Sequence, residues 1–106
     1  MTLTNYTKHI QELDNAHHLH PFMVHNELRA KGPRVITKGK GVYIWDSEGR
    51  KIIDGMAGLW CVQLGYGVEE LAQVAYETMK TLPYYNAFFQ TTTPYAAELA
   101  NLISQK

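Results

Sequence analysis

One cysteine in 106 residues excludes an internal disulfide and a zinc–thiolate centre built by this chain alone. No apolar run approaches the roughly 18 residues that a membrane-crossing helix needs. The opening stretch, MTLTNYTKHIQELDN, has no uninterrupted apolar segment of the secretory kind, so no leader is expected. Net charge is missing too. Ten Lys and Arg balance ten Asp and Glu, which leaves no strong field to draw nucleic acid or an anionic bilayer. Neither nucleic acid nor membrane is an expected partner, and a reducing cytoplasm is the expected compartment. There is no internal repeat and no low-complexity tract.

What remains is globular in composition, with 45% hydrophobic and 19% charged residues, enough for one domain at most. The charges are sorted along the chain. Residues 1–40 carry a net +3 and residues 41–106 a net −3, a difference too small to imply a nucleic-acid role. It suits two parts of one protein facing different neighbours.

Residues 1–15 suggest a short amphipathic helix with Ile10 and Leu13 on one side. The pattern stops at AHHLHPF, where Pro21 pushes His20 toward extended backbone. Residues 23–31 predict two helical turns, closed by Gly32 and Pro33. From 34 to 54 the sequence reads as a small antiparallel meander. It starts at Val35 and Ile36, turns at Gly39–Gly41, and brackets the type I turn Asp46-Ser47-Glu48-Gly49 between two β-forming runs. Residues 55–67, GMAGLWCVQLGYG, fit neither regular period and suggest a buried loop with room for a short strand or a turn of helix. Leu71, Val74, Ala75, Met79 and Leu82 share one face of a helix over 68–82 that expects a neighbour to pack on. Thr93 and Pro94 predict the N-cap and first turn of a second helix, whose apolar side is Tyr95, Leu99, Leu102 and Ile103. The fold class is therefore an α+β segment: a helical arm over 1–33, then, within 34–106, a three-stranded antiparallel meander and two helices. These elements could form a miniature core. A piece this small is marginal alone, or buries its apolar faces against another chain.

Four features could carry chemistry. His17, His18, His20 and His25 offer zinc- or copper-binding imidazoles, but they lack helical i, i+4 spacing and no acidic ligand stands beside them in sequence. Surface or capping histidines are therefore expected, and no metal ligand is assigned. Gly65-Tyr66-Gly67 could suggest a phosphate cradle, yet Glu70 stands where a dinucleotide loop requires glycine or alanine, and two acids at a helix start repel phosphate. A structural turn is expected. Cys61 lies between Trp60 and Val62 with no base in view, which favours an inert buried thiol. The aromatic run Tyr84-Tyr85-Asn86-Ala87-Phe88-Phe89 and the off-period Trp60 could wall an apolar pocket or form an ordinary contact surface. Pattern alone supplies no reactive group.

Three blocks in order, AHHLHPF, GVYIWDSEGRKIIDGMAGLWCVQLGYG and LPYYNAFFQTTTPYAAELA, resemble the N-terminal part of class III pyridoxal-phosphate-dependent aminotransferases, and within them the ω-amino-acid:pyruvate transaminases. The likeness runs over about residues 10–105. It implies fold type I, with a large cofactor-holding α/β domain, a smaller domain made from both chain ends, and active sites at a dimer interface. Residues 34–106 would then be the N-terminal small-domain segment and the lead-in to the large domain. By position, Leu59 and Trp60 resemble residues lining the substrate pocket. Phe22 resembles a ring closing its entrance, and Phe88 one reaching across the dimer interface. Tyr85 and Phe89 could share that wall.

The resemblance also implies absences. The family's Schiff-base lysine, phosphate cup and pyridinium-pairing aspartate belong to the large domain, and none of the seven lysines here sits in a matching context. No catalytic and no cofactor-binding residue is therefore assigned. The expected function is that of a transaminase segment that shapes pocket and dimer contact and is inactive alone. In the whole enzyme an amine or ω-amino acid donor and pyruvate or another 2-oxo acid would be the substrates, with pyridoxal 5'-phosphate as cofactor. The alternative is a stand-alone protein that binds itself or a partner through the same aromatic surfaces.

Overall fold

A computed structural model describes residues 3–106. The elements run α1 (Leu3–His17), α2 (His25–Lys31), β1 (Ile36–Lys40), β2 (Tyr43–Asp46), β3 (Lys51–Ile53), α3 (Ala57–Trp60), α4 (Glu69–Thr81) and α5 (Pro94–Ser104). The chain divides into two compact units, 1–68 and 69–106. The α+β architecture read from the sequence is the one observed.

In the first unit the sheet order is β1-β2-β3, antiparallel throughout. Its organising residue is Asp46. The Asp46 carboxylate accepts from the Glu48 and Arg50 amides, both at 3.0 Å, and from Arg50 Nε at 2.7 Å. The Gly49 amide donates to the Asp46 carbonyl at 3.0 Å, and Gly49 takes φ 83°, the left-handed step that follows a type I turn in a hairpin. This turn presents Ser47, whose hydroxyl lies 2.7 Å from that of Thr7 on α1. Gln11 adds a second tie from α1, donating to the Pro33 carbonyl at 2.9 Å. Gly32 closes α2 as expected, with φ 72° and its amide on the Leu28 carbonyl.

The second unit holds α4 and α5. Glu69 and Glu70 occupy the first turn of α4, where they complement the helix dipole. Thr93 caps α5 by accepting from the Ala96 amide at 3.4 Å, and Pro94 occupies the first turn. Between the helices Asn86 organises the aromatic run. Its side-chain oxygen accepts from the Phe88 amide at 2.9 Å, and Thr91 Oγ1 donates to the carbonyls of Asn86 and Phe88.

The expectations of burial within this chain are overturned together. The miniature core does not exist: among the described residues no hydrophobic side chain is buried, and the buried ones are Thr7, Asp46 and Ser47. The 55–67 loop is not buried either, with Met56, Leu59, Trp60 and Leu64 all exposed, and Cys61 is an exposed thiol. The α4 face expected to pack on a neighbour stays open at Leu71, Val74 and Met79. The surface area explains why. The chain exposes 9350 Å² at 12.1 kDa, where a self-contained globule of that mass exposes about 6,000 Å² and even two separate globules of the units' sizes about 7,200 Å². Pattern identified the apolar faces correctly, but among the described residues they are left uncovered.

Burial disfavours the charged Asp46 carboxylate, but the hydrogen bonds from Arg50 and the turn amides outweigh it and hold its pKa below the usual value. The unfolded chain then binds more protons than the folded one in this window, so the turn's stability rises with pH there. The turn is expected to be intact at neutral pH and to loosen only as pH falls below about 4. The Glu48 and Arg50 amide chemical shifts report it: they should move together with a midpoint below the ordinary carboxylate range, and a midpoint at or above that range would contradict this account.

Candidate functional site

The residues after β3 form the most constrained segment of the first unit. Asp54 accepts from the Met56 amide at 3.2 Å, the Gly58 amide at 2.8 Å and the Tyr66 hydroxyl at 2.6 Å. Those bonds, with the Tyr66 hydroxyl foremost, hold its carboxyl below the usual range against the opposing effect of burial, while the same bond raises the Tyr66 phenol. Tyr66 is fixed from behind as well. Its amide and carbonyl pair with Gly41, each bond at 2.9 Å, and its ring lies against Gly39, where a Cβ would stand 2.5 Å from the ring. The glycines around Tyr66 thus serve backbone approach.

Held by Asp54, α3 winds with positive φ at every residue: Ala57 49°, Gly58 59°, Leu59 60° and Trp60 68°. Only glycine adopts this region readily, and each other residue there costs on the order of 1–3 kcal/mol. The turn displays Leu59 and Trp60 outward, with Trp60 81% exposed. Leu59 also lines a cavity of about 570 Å³ with Ile36, Ile44, Met56, Asp54 and Tyr66. Phe22, at φ 54° and fully exposed, borders a separate hollow of about 380 Å³ against α2. In the second unit Phe88 and Phe89 meet edge-on with centroids 6.4 Å apart, and Phe89 takes φ 55°. Both rings are exposed, as is Tyr85.

Sequence reading missed two features. The strain at Phe22, Leu59, Trp60 and Phe89 has no signature in residue type, because leucine and aromatic residues disfavour positive φ. The second corrects the histidine reading. Asp14 does stand beside these residues, 2.8 Å from His18 Nδ1 and 2.8 Å from His20 Nε2. The i, i+4 spacing of Asp14 and His18 was the available signal. The two ring bonds lower the Asp14 pKa.

Comparison with known proteins settles the family. The sequence profile of the family Aminotransferase class-III matches residues 25–105. The chain belongs to the class III aminotransferases. It is 57% identical over 98 residues to a putrescine–pyruvate aminotransferase of Pseudomonas aeruginosa, covering 92% of this chain and 22% of that protein. Its structure matches a thermostable (S)-enantioselective omega-transaminase of Thermomicrobium roseum with TM-score 0.89 and 41% identity, over 92% of this chain and 22% of that one. It also matches a thermostable omega-transaminase with a tryptophan-to-glycine substitution, engineered for asymmetric synthesis of enantiopure bulky amines, at TM-score 0.85 and 33% identity, over 92% and 22% of the two chains. The chain thus spans about a fifth of the length of these relatives and corresponds to their N-terminal part. The class III family is pyridoxal-phosphate-dependent, and its members act on amines and oxo acids as oligomers. No helix among the described residues is long and apolar enough to cross a membrane.

Tyr66→Phe removes the hydrogen bond that does most to lower the Asp54 pKa. The carboxyl ¹³C titration midpoint of Asp54 should therefore rise toward the ordinary aspartate value; an unmoved midpoint would assign the shift to the turn amides alone. Gly39→Ala drives a methyl into the Tyr66 ring. It should speed amide exchange at Gly41 and Tyr66 while leaving the Glu48 and Arg50 amides unchanged.

Proposed function

We propose that this chain supplies the N-terminal pocket wall and subunit-contact surface of an ω-transaminase. That enzyme moves an amino group from an amine or ω-amino acid to pyruvate or another 2-oxo acid. In this reading residues 1–33 are the arm, and residues 34–106 are the small-domain segment leading toward the large domain. Leu59 and Trp60 line the substrate pocket, Phe22 closes its entrance, and Phe88 reaches the neighbouring subunit's site, with Tyr85 and Phe89 beside it. The observation that carries the reading is the coincidence of strain and exposure. Phe22, Leu59 and Trp60 sit in left-handed backbone with their side chains in solvent, an arrangement worth its energy only where another surface receives them. The relative engineered at a tryptophan for bulky amines supports a specificity role for Trp60.

Pyridoxal phosphate, when bound, supplies the electron sink for amino transfer, and the protein supplies a lysine, an acid for the ring nitrogen and a phosphate cup. The residues of this chain do not fit as its holder. All seven lysines are exposed. Lys31 and Lys80 pair with Glu27 and Glu77, and Lys38 and Lys51 lie over the rings of Trp45 and Tyr43. The three aspartates are engaged by His18 and His20, by Arg50 and by Tyr66. The α4 N-terminus carries two glutamates, which oppose a phosphate. No chemical step is assigned to this chain alone.

A second reading, a stand-alone protein that binds itself, draws on the same exposed rings; light scattering that gives a monomer at all concentrations would count against it. For the first reading, the chain mixed with pyridoxal phosphate should give no stoichiometric internal-aldimine absorbance band and no turnover with putrescine and pyruvate. A specific one-to-one band, or turnover, would overturn it.

A further inference from the structure

The cluster at the end of α1 belongs to none of this. Asp14 lies in the last turn of the helix, and the His18 amide continues the helical bonding onto the Asp14 carbonyl at 2.9 Å, which places His18 over Asp14. His20, three residues beyond the end of α1 and just ahead of Pro21, reaches the same carboxylate. His20 Nε2 reaches both oxygens, at 2.9 and 2.8 Å. The two imidazoles lie with centroids 4.1 Å apart and their planes inclined at 48°. One donor atom from each of the three residues lies within 4.8 Å of the others. His20 and Asp14 are mostly buried, with side chains 21% and 14% exposed, while His18 is 61% exposed.

We propose that Asp14, His18 and His20 form a binding site for a divalent first-row transition cation, with Zn²⁺ its natural occupant. Two nitrogens and one carboxylate oxygen are a zinc-type donor set, whereas Mg²⁺ and Ca²⁺ take oxygen ligands. Ligands about 2.0–2.2 Å from a tetrahedral ion stand roughly 3.4 Å apart, so the donors need only small ring rotations, and His18 has room to make them. In the metal-free state each ring donates an N–H to the acceptor-only carboxylate. A neutral imidazole can carry that proton on its other nitrogen instead, so both lone pairs become available with no net loss of a proton. Three protein ligands leave a fourth position for water. The site would pin residues 14–20 into one fixed turn. It is independent of the amino-transfer reading, since its readout is metal binding and none of the three residues is among those that reading uses.

The test is calorimetric titration of the chelator-treated chain with ZnCl₂, with MgCl₂ as the comparison. Expected is one saturable equivalent of Zn²⁺ and no Mg²⁺ binding under the same conditions. Asp14→Asn, His18→Ala and His20→Ala should each weaken Zn²⁺ binding by about tenfold or more, and His9→Ala, on the same helix, should not. Co²⁺ in place of Zn²⁺ should give visible d–d bands that vanish in Asp14→Asn. Because His18 is an exposed side chain, its substitution tests ligation without threatening the fold, and circular dichroism verifies helix content in every variant. Zn²⁺ binding unchanged in Asp14→Asn would identify a loose polyhistidine effect and overturn the proposal, as would unchanged binding in His18→Ala or the absence of a saturable equivalent.

Discussion

The first unit depends on one ionised carboxylate. Asp46 gathers two backbone amides and a guanidinium around itself, and in doing so folds the hairpin turn and aims Ser47 at Thr7. No apolar cluster does this work. Among the described residues the buried ones are all polar, so geometry here is set by directional bonds, which keep their shape without a surrounding core. Asp54 repeats the device eight residues on, where one carboxylate fixes both the α3 turn and the Tyr66 hydroxyl.

That polar framework is what lets the chain hold its apolar side chains outward. A hydrophobic core would collapse Trp60 and Leu59 inward; the Asp54-centred turn holds them in left-handed backbone instead. The same logic operates in the second unit, where Asn86 and Thr91 shape the loop that carries Phe88 and Phe89. The exposed area beyond that of self-contained globules is on the scale of a permanent protein–protein interface. A member of the class III aminotransferases that spans a fifth of its relatives' length has the surface expected of a segment whose packing partners are the rest of such an enzyme.

Much of the local structure was legible in residue order because its causes are local. Gly32 before Pro33, Thr93 before Pro94, and Asp46 three residues ahead of Gly49 each satisfy or block a backbone bond within a few residues, and each ended or began an element where expected. Burial was misread at Cys61, at the 55–67 loop and on the α4 face, because apolar pattern reveals which face seeks cover but not which chain provides it. The His20 half of the Asp14–histidine cluster was missed because His20 lies six residues from Asp14 and beyond the end of α1, where no helical period pairs the two.

The sequence by itself determined the family, the order of elements, the caps and turns, and the identity of the aromatic residues that stand outside regular structure. These follow from short-range sterics and hydrogen bonding, and from motifs long enough to be specific. Only the tertiary structure decided that Leu59 and Trp60 are held at positive φ, that Asp54 and Tyr66 share a proton-bridged contact, and that Asp14 receives two imidazoles. Each of those requires residues separated in the chain to meet at hydrogen-bond distance, and that meeting is fixed by the path of the backbone between them.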